Sequence, residues 1–151
     1  MKRIVCCLFL SFTFIYADIS SPILMGQWKI TQFLTALPVG NLSQKDSDSL
    51  IGKSLNLSTD TISINADVLT PDDRSCPIDH ANSSWITENA FDYFVTDNGY
   101  RLSVSDVKSL GLSSPFWHLS SFCMDVFTRS NPNKLILFFG SNFFEATRVK
   151  Q

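Results

Sequence analysis

Residues 134–149 read KLILFFGSNFFEATRV. Lys134 to Phe139 and Asn142 to Val149 are two apolar, aromatic-rich runs of strand length. The pair between them, Gly140-Ser141, has the length and composition of a two-residue hairpin loop, so this stretch predicts two antiparallel strands. Phe138-Phe139 and Phe143-Phe144 are adjacent pairs, and neighbours on a strand point to opposite faces. Most of the chain's aromatics are expected to fill the core of a small β fold, and a member of either pair that stood at the surface would mark an aromatic patch of the kind that serves a binding partner.

The same texture of short alternating segments, broken by Ser, Asn, Asp, Gly and Pro, extends upstream through the chain. Met25 to Leu34 sets Trp28, Ile30 and Leu34 against Gln27, Lys29 and Thr31, with Phe33 breaking the polar side, and reads as a first strand. Leu55 and Leu57, then Ile62 and Ile64, flank the polar tetrad Ser58-Thr59-Asp60-Thr61, which predicts a second hairpin. Ile86 to Val95 carries Phe91, Tyr93 and Val95 at period two. Trp117 to Arg129 reads as one strand, with Phe122, Met124 and Val126 on the face opposite Cys123 and Asp125.

Helix is the minor component. Ser43 to Ile51 opens on a potential N-cap, Ser43, has Asp46 in its first turn and stops at Gly52. Ser105 to Leu110, followed by Gly111, is a briefer version of the same pattern. Leu69 to Ser84, with Pro71, Asp72, Asp73, Pro77 and Asn82, has no usable period and is expected to be a loop. These segments predict a mainly β fold: an antiparallel closed or partly open barrel of about eight strands, with one or two short helices.

The amino terminus bears on compartment. Met1-Lys2-Arg3 precedes an apolar run from Ile4 to Tyr16 and a small residue, Ala17, which is the layout of a secretory signal peptide over residues 1–17. That run is shorter than the roughly 20 apolar residues of a membrane span. The expected mature chain, 18–151, is the size of a single domain, exported to a periplasmic or extracellular destination and not membrane-spanning. Removing Lys2 and Arg3 from the 12 basic residues against 14 acidic ones leaves a charge near −4, without the basic stripe that nucleic acid requires. Cys6 and Cys7 leave with the leader, so in an oxidising compartment Cys76 and Cys123 are expected to form a disulfide.

Gly26-Gln27-Trp28 on the first strand and Arg148 near the end of the last carry a family resemblance. This arrangement resembles the calycin signature of lipocalin-like barrels, of the small exported bacterial type, in which a Gly-x-Trp on the first strand meets a basic residue of the final strand at the closed end. The resemblance implies a guanidinium lying over an indole face. It makes Gly26, Trp28 and Arg148 structural residues.

The chain carries no Gly-x-Ser-x-Gly elbow and no His-Glu-x-x-His, and its expected mature part carries no Cys-x-x-Cys. Asp67, Asp72, Asp73 and Asp79 with His80 fit no calcium-loop spacing and read as solvated loop residues. Cys76 with His80 gives too few ligands for a metal, and no cofactor is expected. His118, between Trp117 and Leu119, reads as a hydrogen-bonded histidine pointing out of the sheet. A hydrolase using His118 or His80 is the enzymatic alternative, but no activated nucleophile accompanies either residue.

Two binding functions then compete. The first is an exported carrier of a small apolar ligand, with Trp85, Phe91 and Tyr93 lining the barrel mouth. The second is an inhibitor or immunity protein that blocks a cell-envelope hydrolase through loops such as Leu69 to Ser84. A carrier needs an unfilled interior. An inhibitor needs a rigid protruding loop and tolerates a filled one.

Overall fold

The structure, a computed structural model, describes residues 24–37, 42–86, 109–112 and 115–150. The expected leader, Phe91, Tyr93 and most of the helix expected over 105–110 lie outside them. The elements run β1 (Gly26–Ala36), α1 (Gln44–Leu50), β2 (Ser54–Leu57), β3 (Thr61–Asn65), β4 (Ser75–Pro77), β5 (Ser84–Ile86), β6 (Phe116–Leu119), β7 (Met124–Thr128), β8 (Lys134–Phe139) and β9 (Asn142–Arg148). All nine strands join one antiparallel sheet in the order β4-β3-β2-β1-β9-β8-β7-β6-β5, curled into a partly open barrel. The fold is mainly β with one short described helix, as expected.

The β8–β9 hairpin turns where its sequence predicts, with Phe139 opposite Asn142. Both loop residues take positive φ, +55° at Gly140 and +66° at Ser141, the handedness that matches the twist of the flanking strands. Gly140 is required for a second reason. A Cβ there would lie 2.6 Å from Cγ of Leu42, the residue before the helix cap.

None of Phe138, Phe139, Phe143 and Phe144 is exposed, which agrees with the core reading of these aromatics and leaves no aromatic patch at this turn. The physical reason is that both faces of this half of the sheet are covered. Leu135, Leu137, Phe139, Phe144 and Ala146 face the concave side, where they join Trp28, Ile30, Leu55, Ile62, Leu119 and Val126 in the larger core. Ile136, Phe138 and Phe143 face outward into a second core with Phe116, Phe127, Leu110 and Leu112. A strand buried on both faces reads as a continuous apolar run rather than an alternating one, and 135–139 is such a run.

β1 does not keep a single alternation. Register shifts against β9 fall between Ile30 and Gln32 and between Phe33 and Thr35. The first shift inserts Thr31 and returns Phe33 to the concave side, edge-on to Phe144 at 5.8 Å, while the second leaves Leu34 against the outer core. Phe33, which interrupts the polar side in sequence, is therefore the inward residue, and Leu34 is not.

Helix α1 fills the connection between β1 and β2. The Ser43 hydroxyl accepts from the Asp46 backbone N–H at 3.2 Å, and Asp46 places its charge in the first turn. Leu50 is buried in the larger core, and the Asn142 side-chain amide donates to the buried Ser47 hydroxyl at 3.1 Å, tying the helix to the β8–β9 turn. The β2–β3 reversal is held by Ser58, whose hydroxyl accepts from the Thr61 backbone N–H at 3.0 Å. Among the described residues no helix is long and apolar enough to cross a membrane.

Candidate functional site

The open barrel is drawn together along a seam between residues 76–83 and 120–123. Cys76 on β4 and Cys123 in the β6–β7 turn form a disulfide with Cα atoms 5.7 Å apart, across 47 residues of sequence. Around it Ile78 and Ser121 make an antiparallel bridge, and the Asp79 N–H donates to the Ser120 carbonyl at 2.8 Å. The buried Ser83 hydroxyl donates to the Asp79 carbonyl at 2.8 Å and accepts from the Ser120 N–H at 3.0 Å. A weak three-residue edge strand is thus fastened covalently and by main-chain hydrogen bonds to the far side of the sheet.

Two expectations are corrected here. Trp117 to Arg129 is not one strand but β6, a tight turn and β7, with His118 paired to Phe127 and Leu119 to Val126. The Ser121 hydroxyl closes the turn, accepting from the Met124 N–H at 3.1 Å and donating to the Met124 carbonyl. The reversal takes Phe122 off the face it was expected to share with Met124 and Val126 and leaves it 75% exposed. Similarly, Leu69 to Ser84 is not wholly loop. Ser75 to Pro77 pairs with β3, and Ser84 begins β5.

The connection from β3 to β4 is internally braced. Leu69 is buried, Thr70 donates its hydroxyl to the Asp73 carboxylate at 2.6 Å, and Arg74 donates Nε to the Leu69 carbonyl at 3.1 Å. Beyond β4, the Asp79 carboxylate accepts from the Asn82 side-chain amide at 2.7 Å and from the backbone N–H groups of Ala81 and Asn82 at 3.1 and 3.3 Å. The Asn82 amide, more than any other group, holds the Asp79 carboxyl below the ordinary aspartate value of 3.8. A depressed carboxyl contributes stability that is present above the unfolded-state value and lost as pH falls through the folded one. An NMR titration is therefore expected to place the Asp79 midpoint below 3.8 and to show the 79–83 turn intact through the range where free aspartates protonate. Asn82→Ala should move that midpoint up; an unmoved midpoint would show the turn to be held by the backbone alone.

Among the described residues no group of three His, Cys, Asp or Glu side chains is arranged to hold a metal ion. His80 is exposed on the turn after Asp79. His118 is buried on the outward face, with Nε2 and Asp125 Oδ1 2.8 Å apart and its ring stacked on Phe127 at 4.9 Å. Glu145, on the same face, receives Nη1 of Arg129 and, at 2.8 Å, Nζ of Lys134. These polar groups hold strands β6 to β9 together across the sheet.

No family model, curated protein or solved structure matches the chain.

Trp28 is buried with Nε1 donating to the Leu24 carbonyl at 3.0 Å. Arg148 lies over its ring, Cζ 4.2 Å from the centroid, and donates Nη1 to the Met25 carbonyl at 3.0 Å. Gly26 beside them takes φ +123°. Trp85 stands on β5, directly across from Trp117 on β6. Trp85 is 54% exposed, whereas Trp117 is 9% exposed and its buried Nε1 has no hydrogen-bond partner among the described residues. A buried donor left unpaired costs about 1–3 kcal/mol. Sequence reasoning singled out Trp85 but missed Trp117 and Phe122. The doubled serine at 120–121, before a cysteine that must reach Cys76, was the available sign of a reversal.

Proposed function

We propose that the protein is an exported binding module of the inhibitor or immunity type, whose protein partner docks on the disulfide-pinned turn that carries Phe122. The observation behind this reading is a large aromatic side chain held 75% exposed on a turn fixed by a disulfide, a β-bridge and the Ser121 hydroxyl. Exposed aromatics on rigid turns contribute to binding with little ordering cost, because their backbone is already fixed. The concave interior supports the same choice over carriage of a small apolar ligand, since Ile30, Leu55, Ile62, Leu119, Leu137 and Phe144 fill it as fully buried side chains.

Export rests on the leader-like first seventeen residues and agrees with a disulfide between Cys76 and Cys123. The lipocalin-like reading rests on Gly26, Trp28 and Arg148, and a guanidinium over the Trp28 indole is in keeping with it.

The test is native mass spectrometry of the protein recovered gently from its host, followed by affinity measurement on the polypeptide found. Phe122→Ala is expected to weaken that complex about 30-fold, the loss of a binding anchor worth about 2 kcal/mol, with the melting temperature unchanged. Ile51→Ala, another exposed apolar truncation, should leave it unaltered. A small added mass that disappears on denaturation, in place of a polypeptide, would return the carrier reading.

A further inference from the structure

The turn that carries Phe122 is set among aspartates. Residues 58–83 contain Asp60, Asp67, Asp72, Asp73 and Asp79, with Arg74 their one Lys or Arg, and Arg74 lies 3.8 Å from Asp67. The other four aspartates meet the seam through their main chain. The Asp60 carbonyl accepts from the Ile78 N–H at 2.8 Å, and the Asp79 N–H donates to the Ser120 carbonyl at 2.8 Å. The Asp72 carbonyl lies 4.0 Å from Cys123 Sγ and the Asp73 carbonyl 3.9 Å from Cys76 Sγ, one beside each sulfur of the disulfide. Their carboxylates therefore stand on the same pinned backbone as the exposed ring, in the relation of a polar rim to an apolar anchor.

This acidity is local. Residues 24–37, 42–57, 109–112 and 115–150 carry seven Lys and Arg side chains against four carboxylates, Asp46, Asp48, Asp125 and Glu145. Like charges gathered in one place repel one another, and an oppositely charged surface relieves that repulsion while steering the encounter. An acidic surface would be turned away. A neutral one would strip water from the carboxylates and return nothing for it.

We infer that the protein surface docking on the Phe122 turn is cationic, with Lys or Arg side chains around the pocket that takes the ring; this rests on the docking reading proposed above. A phage-displayed library of random dodecapeptides is selected on the disulfide-intact protein, and the enriched sequences are synthesised for binding kinetics at low and high salt. Sequences rich in Lys and Arg are expected, with association about ten-fold slower at high salt. Asp60→Asn/Asp72→Asn removes two exposed charges and keeps the shape of the turn. It should slow association about three- to ten-fold at low salt and leave dissociation and the melting temperature unchanged. Phe122→Ala should instead speed dissociation. Enriched sequences that need Phe122 but are neutral or acidic, or that bind Asp60→Asn/Asp72→Asn as fast as the parent, would overturn the cationic partner and leave the docking turn standing. If no sequence is enriched, or Phe122→Ala changes nothing, the docking turn itself falls and the cationic partner with it.

Discussion

Reduction of the Cys76–Cys123 bond should lower the stability of the fold by about 4 kcal/mol, the loop-closure entropy expected for a cross-link of this span. Since small domains are stable by only about 5–15 kcal/mol, that loss moves the urea midpoint well down. The comparison is equilibrium unfolding with and without reductant, together with Cys76→Ser/Cys123→Ser to remove thiol chemistry. The reduced chain has a more expanded denatured state, so its unfolding should also depend more steeply on urea. Partner affinity should fall with reduction as well, because Phe122 sits next to Cys123. Equal midpoints in the two states would mean that the Ile78–Ser121 bridge and the Ser83 hydroxyl close the seam unaided.

Trp28→Ala is expected to cost about 3–5 kcal/mol, the range for emptying a large buried aromatic site. The side chain is fully buried, so the cavity opens in the larger core, and two contacts are lost with it: the donor bond to the Leu24 carbonyl and the face under Arg148. A double-mutant cycle of Trp28→Phe with Arg148→Met isolates the guanidinium–indole part, expected at about 0.5–2 kcal/mol. A Trp28→Ala cost below about 1 kcal/mol would show that this end of the barrel collapses around the gap rather than depending on the indole.

What could be read from the sequence was local. Gly140-Ser141, the Ser58 to Thr61 tetrad and the Ser43 cap each determine a turn or an end by their own chemistry, and each does so in the structure. What escaped depends on partners far along the chain. Ser75 to Pro77 is a strand only because β3 lies beside it, and 120–123 turns because the bridge and the disulfide draw it to Ile78 and Cys76. Phe138 and Phe143 are buried because an outer core covers the sheet, a fact that alternation within their own strands does not contain. The inward direction of Phe33 required two register shifts that no single residue announces. At the candidate site, Trp85 was visible as a lone aromatic, but its meaning depends on Trp117 standing across from it.

The placement of β1 beside β9 has a kinetic consequence. Thr31 and Thr147, neighbours in that pair, are separated by 116 positions in sequence. The middle of the sheet therefore closes through its longest-range contact, a topology in which search entropy must be met before the reward arrives and refolding is slow. Until Asn142 to Arg148 is available to pair, β4-β3-β2-β1 and β8-β7-β6-β5 are two separate ribbons with apolar faces and an open edge apiece. A nascent or truncated chain without that last strand lacks the centre of its fold rather than its margin, and its interrupted state is the one most exposed to aggregation.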